Sequence, residues 1–146
     1  MKRLAFLFVC MFMLNLVALA AHDKPIKFEE MPKQAQQFVN KYFAQQSVAL
    51  IKMETDFMSK SYDVIFTNGD KVEFDKRGHW TKIECEQSAV PTELIPDTIL
   101  GYVQKQYPSA KVLKIEKTDR KGYEIDLSNG VDIEFDKKLN VIDIDR

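Results

Sequence analysis

The chain is poor in the residue types that build most catalytic and metal centres. Its 146 residues include two cysteines, two histidines and five glycines. His22 and His79 stand far apart, and with so few thiols no zinc-ligand spacing and no Cys–His nucleophile pair is formed. The glycines are scattered, so the chain has no phosphate-cradling loop and no Gly-x-Ser-x-Gly elbow. Neither sign of charge dominates: 21 Lys and Arg face 22 Asp and Glu. That balance excludes a general nucleic-acid-binding surface, which needs a basic stripe. Long apolar runs are also missing, with one exception at the start.

That exception reads as an export signal. Met1-Lys2-Arg3 is basic, Leu4 to Leu19 is apolar apart from Asn15, and Ala18-Leu19-Ala20 has the small-x-small form of a cleavage site. The run is short and a polar chain follows, which favours a cleaved signal over a membrane-spanning helix. Cys10 lies too early for a lipidated cysteine. Residues 1–20 are therefore expected to be removed on export to the bacterial periplasm, with no membrane insertion afterwards. Residues 21–146 remain, with 19 bases against 22 acids, a net charge of −3. Cys85 is then alone and has no partner for an internal disulfide. Its place at the end of a strand pattern, on the side of Thr81 and Ile83, marks it as a buried structural thiol. An intermolecular disulfide or a reactive thiol is the alternative.

What the chain does contain is one pattern written twice. Tyr62 to Gly69 (YDVIFTNG) recurs as Tyr123 to Gly130 (YEIDLSNG), and Val72 to Lys76 (VEFDK) as Ile133 to Lys137 (IEFDK). Met31-Pro32 matches Ile95-Pro96, and Phe38-Val39 matches Tyr102-Val103. Each copy opens with a one-sided apolar stripe at helical spacing: Ala35, Phe38, Val39 and Tyr42, then Ile99, Tyr102, Val103 and Tyr107. Pro32 and Pro96 suit the first helical turn, and Tyr107-Pro108 ends the second helix. Four strand patterns follow each helix, near 48–54, 61–66, 70–75 and 80–85, then 112–117, 122–127, 131–136 and 141–145. The expected fold is α+β: two tandem αββββ repeats, 28–85 and 91–146, forming one domain. Its eight or so antiparallel strands make a single twisted sheet with both helices on one face. The start of the exported chain, with His22, is expected to be disordered.

Register follows from the hairpins. A three-residue Thr67-Asn68-Gly69 loop pairs Phe66 with Asp70, Val64 with Val72 and Tyr62 with Phe74, keeping apolar residues together. The same choice pairs Ile125 with Ile133 and Tyr123 with Phe135. Val72 then faces Ile83, and Ile133 faces Ile144. The face away from the helices can be read off. In the first repeat it carries Asp63 and Ile65, then Lys71, Glu73 and Asp75, then Trp80, Lys82 and Glu84, with Glu73 across from Lys82 and Lys71 from Glu84. In the second it carries Glu124, Asp126, Asp132, Glu134, Asp136, Asp143 and Asp145, with no base on those three strands. Directly opposed like charges on a sheet cost on the order of 0.2–1 kcal/mol per pair. Such a face needs solvent, neighbouring Lys114 and Lys117, or a bound cation.

Two uses of this face suggest themselves. Trp80, flanked by Lys71, Glu73 and Lys82, can anchor a protein partner; the alternatives are that it is tucked under the loop carrying His79 or turned into the core. Glu124, Asp126, Asp132, Glu134, Asp143 and Asp145 can share a weakly held Ca²⁺ with water. Asp132-x-Glu134-x-Asp136 has the spacing of a calcium loop, but Ile133 and Phe135 alternate inward and no glycine follows, so it is a strand. Carboxylates on an open sheet lack the desolvation that separates a catalytic acid from a catalytic base.

Tyr62-x-Val64 (Tyr123-x-Ile125 in the second copy), the repeated Asn-Gly and Glu-Phe-Asp, and Tyr107-Pro108, Gly78 and Trp80 together resemble the PepSY-like family of exported Bacteroidetes proteins, similar in fold to the β-lactamase inhibitor protein. The second repeat departs from the motif, with Leu139 and Val141 at the places of Gly78 and Trp80. The resemblance implies a periplasmic, non-enzymatic binding or inhibitory module and implies no particular partner; a periplasmic or cell-envelope protein is the expected partner, and no cofactor is expected beyond a weakly held Ca²⁺.

Overall fold

The computed structural model describes residues 22–120 and 122–146. The export signal expected over residues 1–20 lies outside them. The described elements, in chain order, are strand β1 (His22–Pro25), helix α1 (Lys33–Tyr42), β2 (Val48–Thr55), β3 (Lys60–Phe66), β4 (Lys71–Asp75), β5 (Trp80–Glu84), helix α2 (Asp97–Gln106), β6 (Val112–Lys117), β7 (Tyr123–Leu127), β8 (Asp132–Phe135) and β9 (Val141–Asp145). One-turn 3-10 helices at Phe28–Glu30 and Thr92–Leu94 precede α1 and α2. Pro32 and Pro96 sit one place earlier than expected, as the residues that cap the helices; their carbonyls accept from Gln36 and Leu100.

All nine strands form one antiparallel sheet in sequence order, β1 to β9. The sequence pointed to about eight. The additional strand, β1, falls in the stretch expected to be disordered. It pairs with β2, Lys24 opposite Met53, and Asp23 lies 3.6 Å from Lys52. Its four residues are all exposed, so no apolar alternation could reveal it. The β5–β6 pairing (Ile83 opposite Ile115) makes the sheet continuous across the linker.

Both Asn-Gly hairpins take the expected register: Val64 faces Val72 and Tyr62 faces Phe74, while Ile125 faces Ile133 and Tyr123 faces Phe135. Gly69 (φ +90°) and Gly130 (φ +80°) supply the left-handed residue that this loop requires. The reason is burial. Val64, Val72, Ile83, Ile115, Ile125 and Ile133 are fully buried, and a one-residue slip would turn each to the other face. Each such side chain is worth roughly 1.5–3 kcal/mol. Helix residues Ala35, Val39, Ile99 and Val103 complete the same core cluster. Phe38 meets Phe74 edge-on at 5.5 Å between ring centroids, and Tyr102 meets Phe135 likewise at 5.7 Å.

Candidate functional site

The helices cover one side of the sheet, so the other side is the open surface, and its residues fall into two cross-strand rows. One row runs Lys52, Asp63, Glu73, Lys82, Glu116, Glu124, Glu134, Asp143 from β2 to β9. The other runs Leu50, Ile65, Lys71, Glu84, Lys114, Asp126, Asp132, Asp145. Charge is unevenly spread along both. At the β3–β5 end Lys71 bridges Asp63 (2.9 Å) and Glu73 (2.8 Å), and Lys82 pairs with Glu84 at 2.9 Å. Asp63 is 4% exposed, so its bridge to Lys71 compensates a buried charge. Burial by itself would lower the Lys71 pKa, but the bonds from Glu73 and Asp63 prevail and raise it far above the usual lysine value.

At the other end, among the described residues, the six acids of β7, β8 and β9 form ion pairs with one base. Lys114 of β6 lies 2.7 Å from Glu124, 3.2 Å from Asp126 and 3.9 Å from Glu116. Its pKa too is raised, the bonds from Glu124 and Asp126 outweighing desolvation. Glu124 faces Glu134, and Asp126 faces Asp132, as expected. Loss of hydration raises the Asp132 pKa, and Asp126 raises it further, with smaller contributions from Glu124 and Asp145. One oxygen of Asp126, Oδ1, is buried without a hydrogen-bond partner. Between the two ends lies a groove of about 420 Å³, lined by Ile65, Lys71, Glu84, Cys85, Lys114 and Asp126 among others.

Several expected positions change. Trp80 does not stand on the open face. The ladder shifts between Glu73 and Phe74, so Trp80 comes opposite the fully buried Phe74 and packs half-buried against the core. Lys117, expected beside the acids, instead lies 3.7 Å from the centre of the Trp80 ring and donates to the Trp80 carbonyl at 3.0 Å. Although Lys117 is an exposed residue, partial burial of its ammonium beside the indole lowers its pKa. Asp136 leaves the acidic row. It lies beyond β8 and closes a turn, accepting from the backbone N–H groups of Lys138 (2.8 Å) and Asn140 (2.9 Å). Asp75 does the same for Arg77 and His79. Cys85 is buried, and burial pushes its thiol up to about 11, which disfavours the thiolate at neutral pH.

Sequence reading missed Asp70, a fully buried carboxylate. It accepts from Gln46 (2.8 Å), Asn68 (3.0 Å), Ser88 (2.7 Å) and the Glu86 N–H (3.0 Å). It thereby ties the β3–β4 turn to the α1–β2 loop and to the linker. An Asp after Asn-Gly reads as ordinary turn chemistry, so no local signal set it apart.

An open antiparallel sheet backed by two helices, with a charged bare face and a buried thiol, defines a small α+β scaffold. The family model described as "Putative beta-lactamase-inhibitor-like, PepSY-like" matches residues 60–143. The chain belongs to the PepSY-like family. It is 55% identical to a periplasmic protein of the DUF2874 family from Bacteroides vulgatus, over 87% of this chain and 99% of that one, with a TM-score of 0.83. It is 53% identical to a Bacteroides thetaiotaomicron protein described as a "putative calcium-regulated periplasmic protein", over 85% of this chain and 97% of that one, at TM-score 0.82. A second Bacteroides vulgatus periplasmic protein, of unknown function, is 35% identical over 86% of this chain and all of that one, at TM-score 0.79. Among curated proteins, none matches. No helix among the described residues is long and apolar enough to cross a membrane.

Proposed function

We propose that the chain is an exported periplasmic binding module, not an enzyme, that presents the acidic end of its open sheet face to a cationic protein partner. The observation that carries this reading is the uneven charge of one continuous surface. Glu124, Asp126, Asp132, Glu134, Asp143 and Asp145 share Lys114, while the acids of β3–β5 are matched by Lys71 and Lys82. Unmatched charge on a rigid sheet steers association and favours a partner of opposite sign. Lys71, Glu73 and Lys82 would then flank the contact, and Trp80, turned to the margin of the core, would take no part in it. The two halves of the chain, 28–85 and 91–146, would be tandem copies of one αββββ unit whose second copy has diverged toward recognition. Crosslinking in the native cell envelope tests the proposal. The wild-type chain should recover a partner that is lost when Asp132, Glu134, Asp143 and Asp145 are neutralised together and kept at full yield in Trp80→Ala. Equal recovery by the neutralised variant overturns the acidic-face reading.

A second reading is favoured by the relative described as calcium-regulated and by the unpartnered Asp126 Oδ1, to which a cation could bind. Among the described residues no three His, Cys, Asp or Glu side chains converge as a metal cage. Any calcium would therefore be shared between Asp126 and Asp132 with water completing its coordination, and would bind weakly. Millimolar calcium at fixed ionic strength should raise the Tm of the wild type and leave Asp126→Asn/Asp132→Asn unchanged. An unmoved wild-type Tm ends this reading.

A further inference from the structure

The nine-stranded sheet has two edges, and they are not alike. At one edge β1 is four residues long, carries Lys24 and ends in Pro25, which has no N–H to offer. Such features blunt an edge against strand addition. At the other edge β9 is Val-Ile-Asp-Ile-Asp, with neither lysine nor proline. Among the described residues it pairs with β8 alone, so its outer backbone groups have no ladder partner. Ile142 is 50% exposed and Ile144 41%. Ile144 lies opposite the fully buried Ile133, on the helix side of the sheet, yet keeps that share of its surface open to solvent. Asp143 and Asp145, opposite Glu134 and Asp132, carry the acidic rows to this edge.

We propose that β9 accepts, as a tenth strand, an extended segment of another protein that alternates basic and apolar residues. Its bases would continue the rows ending at Asp143 and Asp145, and its apolar residues would cover Ile144 on the other side. Backbone hydrogen bonds would hold the segment and the alternation would select it. A second copy of this chain is a poor occupant. Antiparallel pairing of two β9 strands about Ile144 sets Asp143 of each copy against Asp145 of the other, and pairing about Asp143 sets that residue against its own counterpart, so like charges repel across the ladder. The inference rests on the acidic-face reading and adds how the partner docks.

Two synthetic peptides of equal composition test it, one alternating lysine with valine and one with the lysines and valines in separate blocks. Fluorescence anisotropy at low salt should show the alternating peptide bound about tenfold more tightly, and hydrogen exchange should show the amides of residues 141–145 newly protected. Ile144→Pro should reduce the alternating peptide to the affinity of the block peptide. Equal affinity of both peptides for the wild type, or no protection in β9, overturns strand addition while leaving a cation-binding face in place. Failure of both peptides to bind at low salt overturns the acidic-face reading as well.

Discussion

The two halves of the open face use the same strand geometry for opposite ends. In β3–β5 each base lies between acids, and the most deeply buried acid, Asp63, is bridged by Lys71. In β7–β9 the same ladder positions hold acids, and Lys114 reaches across from β6 to the nearest two. The hydrogen-bonded frame tolerates both because side chains on this face meet water and not a packed core. The first pattern consumes its charge internally; the second leaves charge for something outside the molecule. The turns differ in a parallel way. Gly78 (φ +85°) follows β4, and a Cβ there would come 2.8 Å from the Ala35 nitrogen and 2.9 Å from Pro32. At the matching place after β8 stands Leu139 with φ +65°, its side chain half-buried against the core. One turn is tight because a helix presses on it; the other accepts a strained leucine in return for packing.

The largest expected effect comes from removing the two central bases. Lys71→Met should cost about 3 kcal/mol in urea unfolding, because it strands the buried Asp63, whereas Lys114→Met should cost about 1 kcal/mol, its partners being partly solvated. Equal costs would erase the distinction between the halves. Both lysines have raised folded pKa values, so their stabilisation is complete below the unfolded lysine value of 10.5 and is lost only as pH rises through the folded ones. Next, Asp70→Val places in the first half the residue that the second carries at Val131. It should cost about 2.5 kcal/mol, since the donors of Gln46, Ser88 and Glu86 lose their acceptor. A midpoint as high as that of the wild type would show that the knot around Asp70 is dispensable.

Gly78→Ala should destabilise by about 2 kcal/mol, through the left-handed backbone and the contact with α1. Leu139→Gly should change stability by less than about 1 kcal/mol, because relieved strain offsets lost packing. Comparable losses at both turns would refute the contrast. The smallest effect is expected at Asp132. Its raised folded pKa means that the folded state binds more protons than the unfolded one, so the ionised group destabilises at neutral pH. That penalty fades as pH falls through the folded value toward the unfolded 3.8. Asp132→Asn should therefore raise stability at pH 7 by up to about 0.5 kcal/mol and flatten the pH dependence in that window. A destabilised Asp132→Asn protein would mean that this acid is held by a favourable partner.

Much of this was legible in the chain. The Asn-Gly hairpins, with apolar residues at alternate positions on either side, fixed which residues face each other across β3–β4 and β7–β8. The opposition of Glu124 to Glu134 and of Asp126 to Asp132 followed from the same count. What escaped had no local signature. β1 is an exposed strand held by β2, and the displacement of Trp80 depends on a one-residue shift in its ladder. Lys114 was visible as a neighbour, but its reach to both Glu124 and Asp126 depends on β6 lying beside β7.

Hydrophobic alternation by itself determined strands β2 to β9, the register of the hairpins and the side on which charge would gather, because burying one face of a pleated strand forces every second residue to the other. Only the tertiary structure decided which of those charges are cancelled, that the tryptophan belongs to the margin of the core, and that β9 is left as an unguarded edge. Those outcomes depend on distances between segments remote in the chain, which spacing along it does not record.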